Sequence, residues 1–236
     1  MVLVDEGDPD PIFSELNAPY IKLYTAPTPN GQKVSILLEL LKIKYHVRSI
    51  SLSQKEQKED WFIKLNPNGR IPVLSYANSK GKKFSIMESA SIMLFLVDKF
   101  DKTNKFTFEY GSKNYNKMLQ WIFFQMANIG PIQGQICHFK FYLPPDKMPN
   151  TKQYDQILED YDKEIKNYYQ ILENQLIKNS SGYLVGDHLS VADLIHFPWI
   201  YECFCINIDL QSYPHLNNWL NSINKIPAVQ RGMRVP

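Results

Sequence analysis

The turn "PTPNG", Pro27 to Gly31, closes an apolar run and opens a helical pattern at once. The start of a helix offers unpaired N–H groups and a partial positive charge. A thiolate placed there is stabilised, and its pKa falls. Thr28 supplies a hydroxyl and Asn30 a carboxamide NH₂, both able to donate to sulfur. The turn contains no cysteine, so the thiol must come from a ligand. The plain alternative makes Asn30 a helix N-cap and Thr28 a turn residue.

Three further groups of residues could hold such a ligand. In "GRIPVL" a proline stands early in a strand, which implies an edge strand or a cis bond. The alternative is that Pro72 merely starts a strand. In "MESAS", Ser89 with the helix start suits a carboxylate, and Glu88 suits an ammonium group. Together they could take both ends of an α-amino acid moiety, or simply cap a helix. Gln57 and Arg70 are possible anchors, with Arg70 fit for a carboxylate or for plain solvation.

These residues need a scaffold. Tyr20–Thr25 reads as a strand. Asn30–Leu41 places Val34, Leu37, Leu38 and Leu41 on one helical face. Lys44–Leu52 alternates like a strand, and Glu56–Leu65 reads as a short helix ended by "NPNG". "RIPVLSY" and "KKFSIM" form a hairpin, and Glu88–Phe100 is helical again. The order β-α-β-α-β-β-α is that of a thioredoxin-like domain. By that analogy a cis-proline is expected at Pro72, leaving the N–H and C=O of Ile71 to pair with an extended peptide. Beyond a polar linker from Asp101 to about Gly111 the pattern turns to helices alone. Asn116–Phe139 is a long apolar helix with a kink expected at Gly130-Pro131. Thr151–Lys178, Ser190–Ile206 and Pro214–Val229 are three more. The expected divisions are an acidic disordered tail over 1–18, an α/β domain over 19–101 and an all-helical bundle over 111–230.

The 236 residues suit two domains better than one. Hydrophobic residues make up 44 %, enough for two cores. A formal charge of +2 excludes a dedicated nucleic-acid binder, which would carry a strongly basic face. The charge is uneven, because residues 1–19 hold five acidic residues and no Lys or Arg. Three cysteines, Cys137, Cys203 and Cys205, make no disulfide framework and point to a reducing, cytoplasmic setting. No signal peptide or spanning segment is legible, so no membrane role is expected.

Other residues read as structural. Ser190 with Asp193 three residues on forms a capping box, so Asp193 is not catalytic. Cys203 and Cys205 are two apart and face different ways on a helix, so they are core residues and not a redox or metal pair. His188 and His196 lack metal spacing, and no metal site is expected. His138 stands near the end of the kinked helix and could face a cleft.

Taken together, "LYTAPTPNGQKV", "NPNGRIPVL", "ESASIMLFL", "LQWIFFQMANIGPIQGQICHF" and "LVGDHLSVADL" resemble the cytosolic glutathione transferases over about residues 20–230. The likeness is strongest to the nu class and to fungal proteins similar to the yeast nitrogen-catabolite regulator of transferase fold. It implies a thioredoxin-like domain followed by an all-helical one, a homodimer, and glutathione as co-substrate. Thr28 and Asn30 would face its sulfur, and Ile71 beside Pro72 would pair with the cysteinyl backbone. Glu88 and Ser89 would take the γ-glutamyl end, with Gln57 and Arg70 near the rest. The expected activity is conjugation or disulfide reduction, on a disulfide or an electrophilic small molecule. Phe123, His138, Phe139 and Phe141 are candidates for the electrophile's side. A rival expectation is a weakly catalytic regulator of nitrogen metabolism that binds a transcription factor. One departure stands out: relatives often carry Arg just before the residue matching Tyr154, and this chain has Gln153, which cannot form a charged fork.

Overall fold

The computed structural model describes residues 9–11, 16–143, 152–206 and 208–236, with the side chains of Phe204 and Cys205 outside that description. The chain forms two compact units, Met1–Lys102 with Lys225–Pro236, and Thr103–Asn224.

The first unit is a four-stranded mixed sheet with helices. Its strands are β1 (Tyr20–Thr25), β2 (His46–Ser49), β3 (Val73–Ala77) and β4 (Lys83–Met87), in the order β2-β1-β3-β4. β1 runs parallel to β2, and the β1–β3 and β3–β4 pairs are antiparallel. All six residues of β1 are buried, Lys22 included, as expected for an inner strand covered on both faces. β3 is also an inner strand, so the edge-strand explanation for Pro72 falls and the cis bond holds: Ile71–Pro72 is cis. The helices are α1 (Pro29–Leu40), α2 (Asp60–Leu65) and α3 (Ser89–Phe100), with a short 3₁₀ turn at Glu56–Lys58 before α2. The single helix expected over Glu56–Leu65 is therefore two pieces, divided at Glu59, whose backbone is extended.

Of the acidic leader expected as a disordered tail over 1–18, residues 1–8 and 12–15 lie outside the described residues, and Asp10 is held in the fold. Asp10 is fully buried, and its carboxylate takes the Lys22 amine at 2.8 Å, with Arg48 Nε at 3.5 Å. A lysine inside β1 is tolerable because this carboxylate reaches it, whereas an isolated buried charge would cost several kcal/mol or more.

The C-terminus holds a second correction. Pro214–Val229 reads as one helix of the bundle, but Pro227 cannot continue a helix begun before it. The chain forms α8 (Pro214–Asn224) and α9 (Pro227–Met233), and α9 belongs to the first unit, so an expected bundle limit at 230 falls inside it. There α9 packs on α1. Ser35 Oγ donates to the Gly232 carbonyl at 2.7 Å, Gln32 Nε2 to the Met233 carbonyl at 3.3 Å, and Arg231 pairs with Glu39 at 2.8 Å. Gly232 is required by the close approach: a Cβ there would stand 2.4 Å from Ile36 Cα. With α3 on another side, α1 buries Gly31 through Leu38 without a break. Ile36, Leu37 and Leu38 are fully covered, each contributing roughly 1.5–3 kcal/mol.

The second unit is helical: α4 (Lys113–Phe124), α5 (Gly130–Cys137), α6 (Lys152–Asn179), α7 (Val191–Tyr201) and α8. At Gly130-Pro131 the helix does not break. A π turn over Gln125–Ile129 lets the Gly130 N–H reach the Gln125 carbonyl, so the chain stays helical into α5 although Pro131 brings no N–H. A second π turn, His138–Tyr142, ends the run. α7 is buried from Val191 to Ile200 and is the centre of this unit. Its capping box is present, and Asp193 does more than cap. Its Oδ2 accepts from Ser190 N (3.0 Å) and Ser190 Oγ (3.1 Å), and its Oδ1 from Leu184 N (2.8 Å) and Trp219 Nε1 (2.9 Å). α7 stops at Tyr201, short of the expected Ile206, and a 3₁₀ turn at Cys203–Ile206 follows. Cys203 is buried and forms no disulfide with a described residue.

Candidate functional site

The sheet register assembles the site. Tyr24 pairs with Val73, and Val73 with Met87, so the end of β1, the start of β3 and the end of β4 lie in one row. The three segments that leave this row are the Thr28 turn, the Ile71–Pro72 bond and the Glu88–Ser89 junction. Strands stand about 4.8 Å apart, so this edge is about 10 Å across. An extended tripeptide spans about 10 Å.

At the β1 corner, Thr28 is the N-cap of α1, and its Oγ1 accepts from Gly31 N at 3.3 Å. Thr28, and not Asn30, is therefore the cap. Its hydroxyl hydrogen remains a donor, because the cap uses only a lone pair. Asn30 is the second helical residue and is half-buried, so its carboxamide is not spent on capping. Its Oδ1 instead accepts from Lys33 Nζ at 2.9 Å. This leaves the NH₂ end of Asn30 directed away from the amine. Tyr24 is fully buried, its ring packed on Trp61 and Phe62.

Lys33 is the site residue that sequence reasoning missed. It is fully buried in a helix whose neighbouring positions are covered. Burial holds its amine well below the usual lysine range, and the charge of Glu88 pulls it partway back. The available signal was its spacing: three residues after Asn30 places it on the same face, one turn on.

Near the start of β3, Gly69 passes so close to the Gln57 carbonyl that a Cβ would stand 2.7 Å from it, which brings Gln57 beside the Asn66–Pro72 loop. Gln57 Oε1 is buried with no hydrogen-bond partner among the described residues. The Asn66 side chain holds the loop by donating to the Arg70 carbonyl at 2.7 Å, and the Arg70 side chain is exposed. Ile71 packs against the cluster of Tyr24, Ile50, Phe62, Leu65 and Val73.

At the β4 corner, Glu88 is the N-cap of α3 and Ser89 its first residue, buried. Glu88 has φ 69° and ψ 118°, a conformation an L residue rarely adopts. Such strain costs on the order of 1–3 kcal/mol and concentrates at functional sites. It presents an exposed carboxylate beside the first N–H groups of a helix. One end of the row thus offers an anion next to anion-binding amides.

The candidates in the second unit are less united. His138 and Phe139 are neighbours whose rings lie 5.7 Å apart, and Phe139 also meets Tyr154 and Tyr161. Phe141 is exposed in the same π turn. Phe123 is 62 % exposed on α4, and fifteen residues of helical chain put it about 22 Å from His138, so it does not join the others. Gln153 is exposed in the first turn of α6. Among the described residues, no cluster of three or more His, Cys, Asp or Glu is placed to hold a metal ion, and no helix is long and apolar enough to cross a membrane.

Comparison with known proteins places this geometry. Residues 28–99 match the model of the glutathione S-transferase N-terminal domain, and residues 135–227 that of the C-terminal domain. The disulfide-bond oxidoreductase YfcG of Escherichia coli is 32 % identical over 216 residues, covering 90 % of this chain and 94 % of its own. Protein URE2 of Candida glabrata is 28 % identical over 240 residues, covering 87 % of this chain and 65 % of its own. A glutathione transferase homolog from Lodderomyces elongisporus, solved with two glutathione molecules per subunit, is 42 % identical with a TM-score of 0.85, covering 92 % and 99 %.

Proposed function

The chain belongs to the glutathione S-transferase family, and from that premise we propose that it binds glutathione along the β1–β3–β4 row and activates its thiol at the start of α1. The observation that carries this reading is the shared register of Tyr24, Val73 and Met87, which sets a sulfur-stabilising helix start about 10 Å from an amino-acid-binding one. The cysteinyl sulfur lies against Thr28 Oγ1 and Asn30 Nδ2. The peptide backbone pairs with Ile71 beside Pro72. The γ-glutamyl ammonium meets Glu88, and its carboxylate meets Ser89 and the first amides of α3. Gln57 and Arg70 hold the remainder, the glycyl carboxylate suiting Arg70.

Each donor lowers the thiol pKa by favouring the charged form. Hydrogen bonds to charged groups contribute about 1.5–3 kcal/mol. Two such bonds and the helix start move a thiol from about 8.5 to near or below neutrality.

The first unit holds none of the three cysteines, so no protein mixed disulfide can form there. Disulfide reduction therefore runs through glutathione alone. The thiolate attacks one sulfur of the substrate disulfide, its S–S bond breaks, and one half leaves as a thiolate that takes a proton from water. A second glutathione thiolate then attacks the glutathione sulfur of the mixed disulfide. The products are glutathione disulfide and two reduced thiols. The likeness to YfcG favours this reaction over conjugation. A homodimer in a reducing cytoplasm completes the reading.

Calorimetric titration with reduced and oxidised glutathione, followed by turnover assays on a small disulfide and an aryl halide, tests it. The expected result is saturable binding of reduced glutathione and glutathione-dependent disulfide turnover. No heat of binding and no turnover would refute it. A second reading rests on the likeness to Protein URE2: a weakly catalytic regulator that binds a transcription factor. Binding of glutathione without turnover, together with capture of a transcription factor, would favour that reading.

A further inference from the structure

We infer that Lys33 is a positioning residue for the thiol site, one that fixes which end of the Asn30 carboxamide faces the sulfur. The inference rests on the glutathione reading above.

A carboxamide has an acceptor end and a donor end, and only the donor end can stabilise a thiolate. Rotation by half a turn would put Oδ1 against the sulfur anion and repel it. Thr28 is engaged as the helix cap, its Oγ1 accepting from Gly31 N. Lys33 sets the rotation of the Asn30 amide. Its amine lies 2.9 Å from Oδ1, one turn along the same face of α1. An amine carries hydrogens and, when protonated, no acceptor, so the Nδ2 end of Asn30 cannot occupy that place. The carboxamide then has Oδ1 on the amine and Nδ2 on the side away from it.

The placement of the lysine supports this role. Burying an amine completely is costly, and a Met or Leu of similar length would pack at this point in α1 without that cost. The amine also answers to both ends of the site: it donates to Asn30, and the charge of Glu88 at the start of α3 acts on it. Lys33 thus touches no substrate in this scheme. It acts through Asn30.

A double-mutant cycle in the full-length protein tests the inference. Lys33→Met keeps the length and removes the donor. Disulfide turnover (kcat) should fall roughly tenfold or more, while the KM for glutathione stays within about threefold, because the lost interaction serves the thiolate and not ground-state binding. The ultraviolet absorbance of the bound thiolate, titrated with pH, should shift upward. In an Asn30→Ala background, Lys33→Met should cost less than about twofold more, since residues acting as one unit are not additive. Lys33→Gln offers a neutral donor in place of the amine, should recover part of the rate, and carries the test if the Met variant does not fold. Undiminished additivity on Asn30→Ala would overturn the inference. So would an unchanged rate in Lys33→Met, or a rate in Lys33→Gln no higher than that of Lys33→Met, while the wild type turns over. A wild type that neither binds nor turns over glutathione would instead remove the reading beneath it.

Discussion

Replacing Asn30 by Asp separates stability from chemistry at one atom. Asp has the size and shape of Asn, and its Oδ1 can keep the 2.9 Å contact to the Lys33 amine. That bond becomes an ion pair. Bonds to charged groups contribute about 1.5–3 kcal/mol against 0.5–1.5 for neutral ones, so the pair gains about 1 kcal/mol before solvation offsets some of it. The melting temperature of Asn30→Asp should therefore equal or exceed that of the wild type. The chemistry should collapse. The NH₂ that donates to sulfur becomes an oxygen with a negative charge. The thiolate loses a charge-assisted donor, about 1.5–3 kcal/mol. It also gains a like charge about 4 Å away, about 4 kcal/mol at an effective dielectric of about 20 and less where water reaches this half-exposed corner. At least about 3 kcal/mol in total raises the thiol pKa of bound glutathione by about two units, so the thiolate fraction and disulfide turnover near neutral pH fall about 100-fold. The assay pairs a thiolate absorbance titration with steady-state disulfide reduction and a thermal melt. Turnover within about threefold of the wild type in a folded Asn30→Asp protein would refute the placement of the sulfur beside Nδ2.

Other consequences are open to simpler measurements. Gly232→Ala sets a Cβ 2.4 Å from Ile36 Cα and 2.6 Å from its N, backbone atoms that cannot step aside, so α9 must lift from α1. A loss of at least about 1–3 kcal/mol should appear in denaturant unfolding. Asp193→Ala strands donors from Leu184, Ser190 and Trp219, and burial holds the carboxyl above its usual range even with those donors in place. The expected cost is about 3–5 kcal/mol by chemical denaturation, with the site residues of the first unit untouched. Lys33 also makes stability depend on pH. Its amine is lowered in the folded state, so between its folded pKa and about 10.4 the unfolded chain binds more protons than the native one, and stability rises with pH across that window. Lys33→Met should remove this rise, read as the difference in melting temperature between the two proteins at neutral and alkaline pH.

Much of this was legible in the residues. The apolar run Tyr20–Thr25 and the period of 3.6 in Asn30–Leu41 follow from which side chains must leave water, and both elements are where those patterns place them. The cis bond at Pro72 and the capping box of Ser190 with Asp193 were legible too, because each is a local arrangement that a few adjacent residues specify. Misreadings arose where a local rule met a distant partner. Asp10 looked like part of a solvated tail, and its ion pair with Lys22 inside β1 holds it in. Pro214–Val229 looked like one helix of the bundle, and a glycine that lets backbone touch backbone sends its last turns to α1. At Gly130-Pro131, where a kink was expected, a π turn just before the pair absorbs the missing N–H.

The sequence alone determined the donors: a hydroxyl and a carboxamide at a helix start, a carboxylate and a serine at another, and no sulfur of the chain's own nearby. Only the tertiary structure decided that they share one edge of the sheet. Strand register put Tyr24, Val73 and Met87 in one row, and register depends on pairing between segments about fifty residues apart, which no local pattern encodes. It also decided which end of Asn30 faces the buried Lys33 amine, because that depends on where the amine comes to rest.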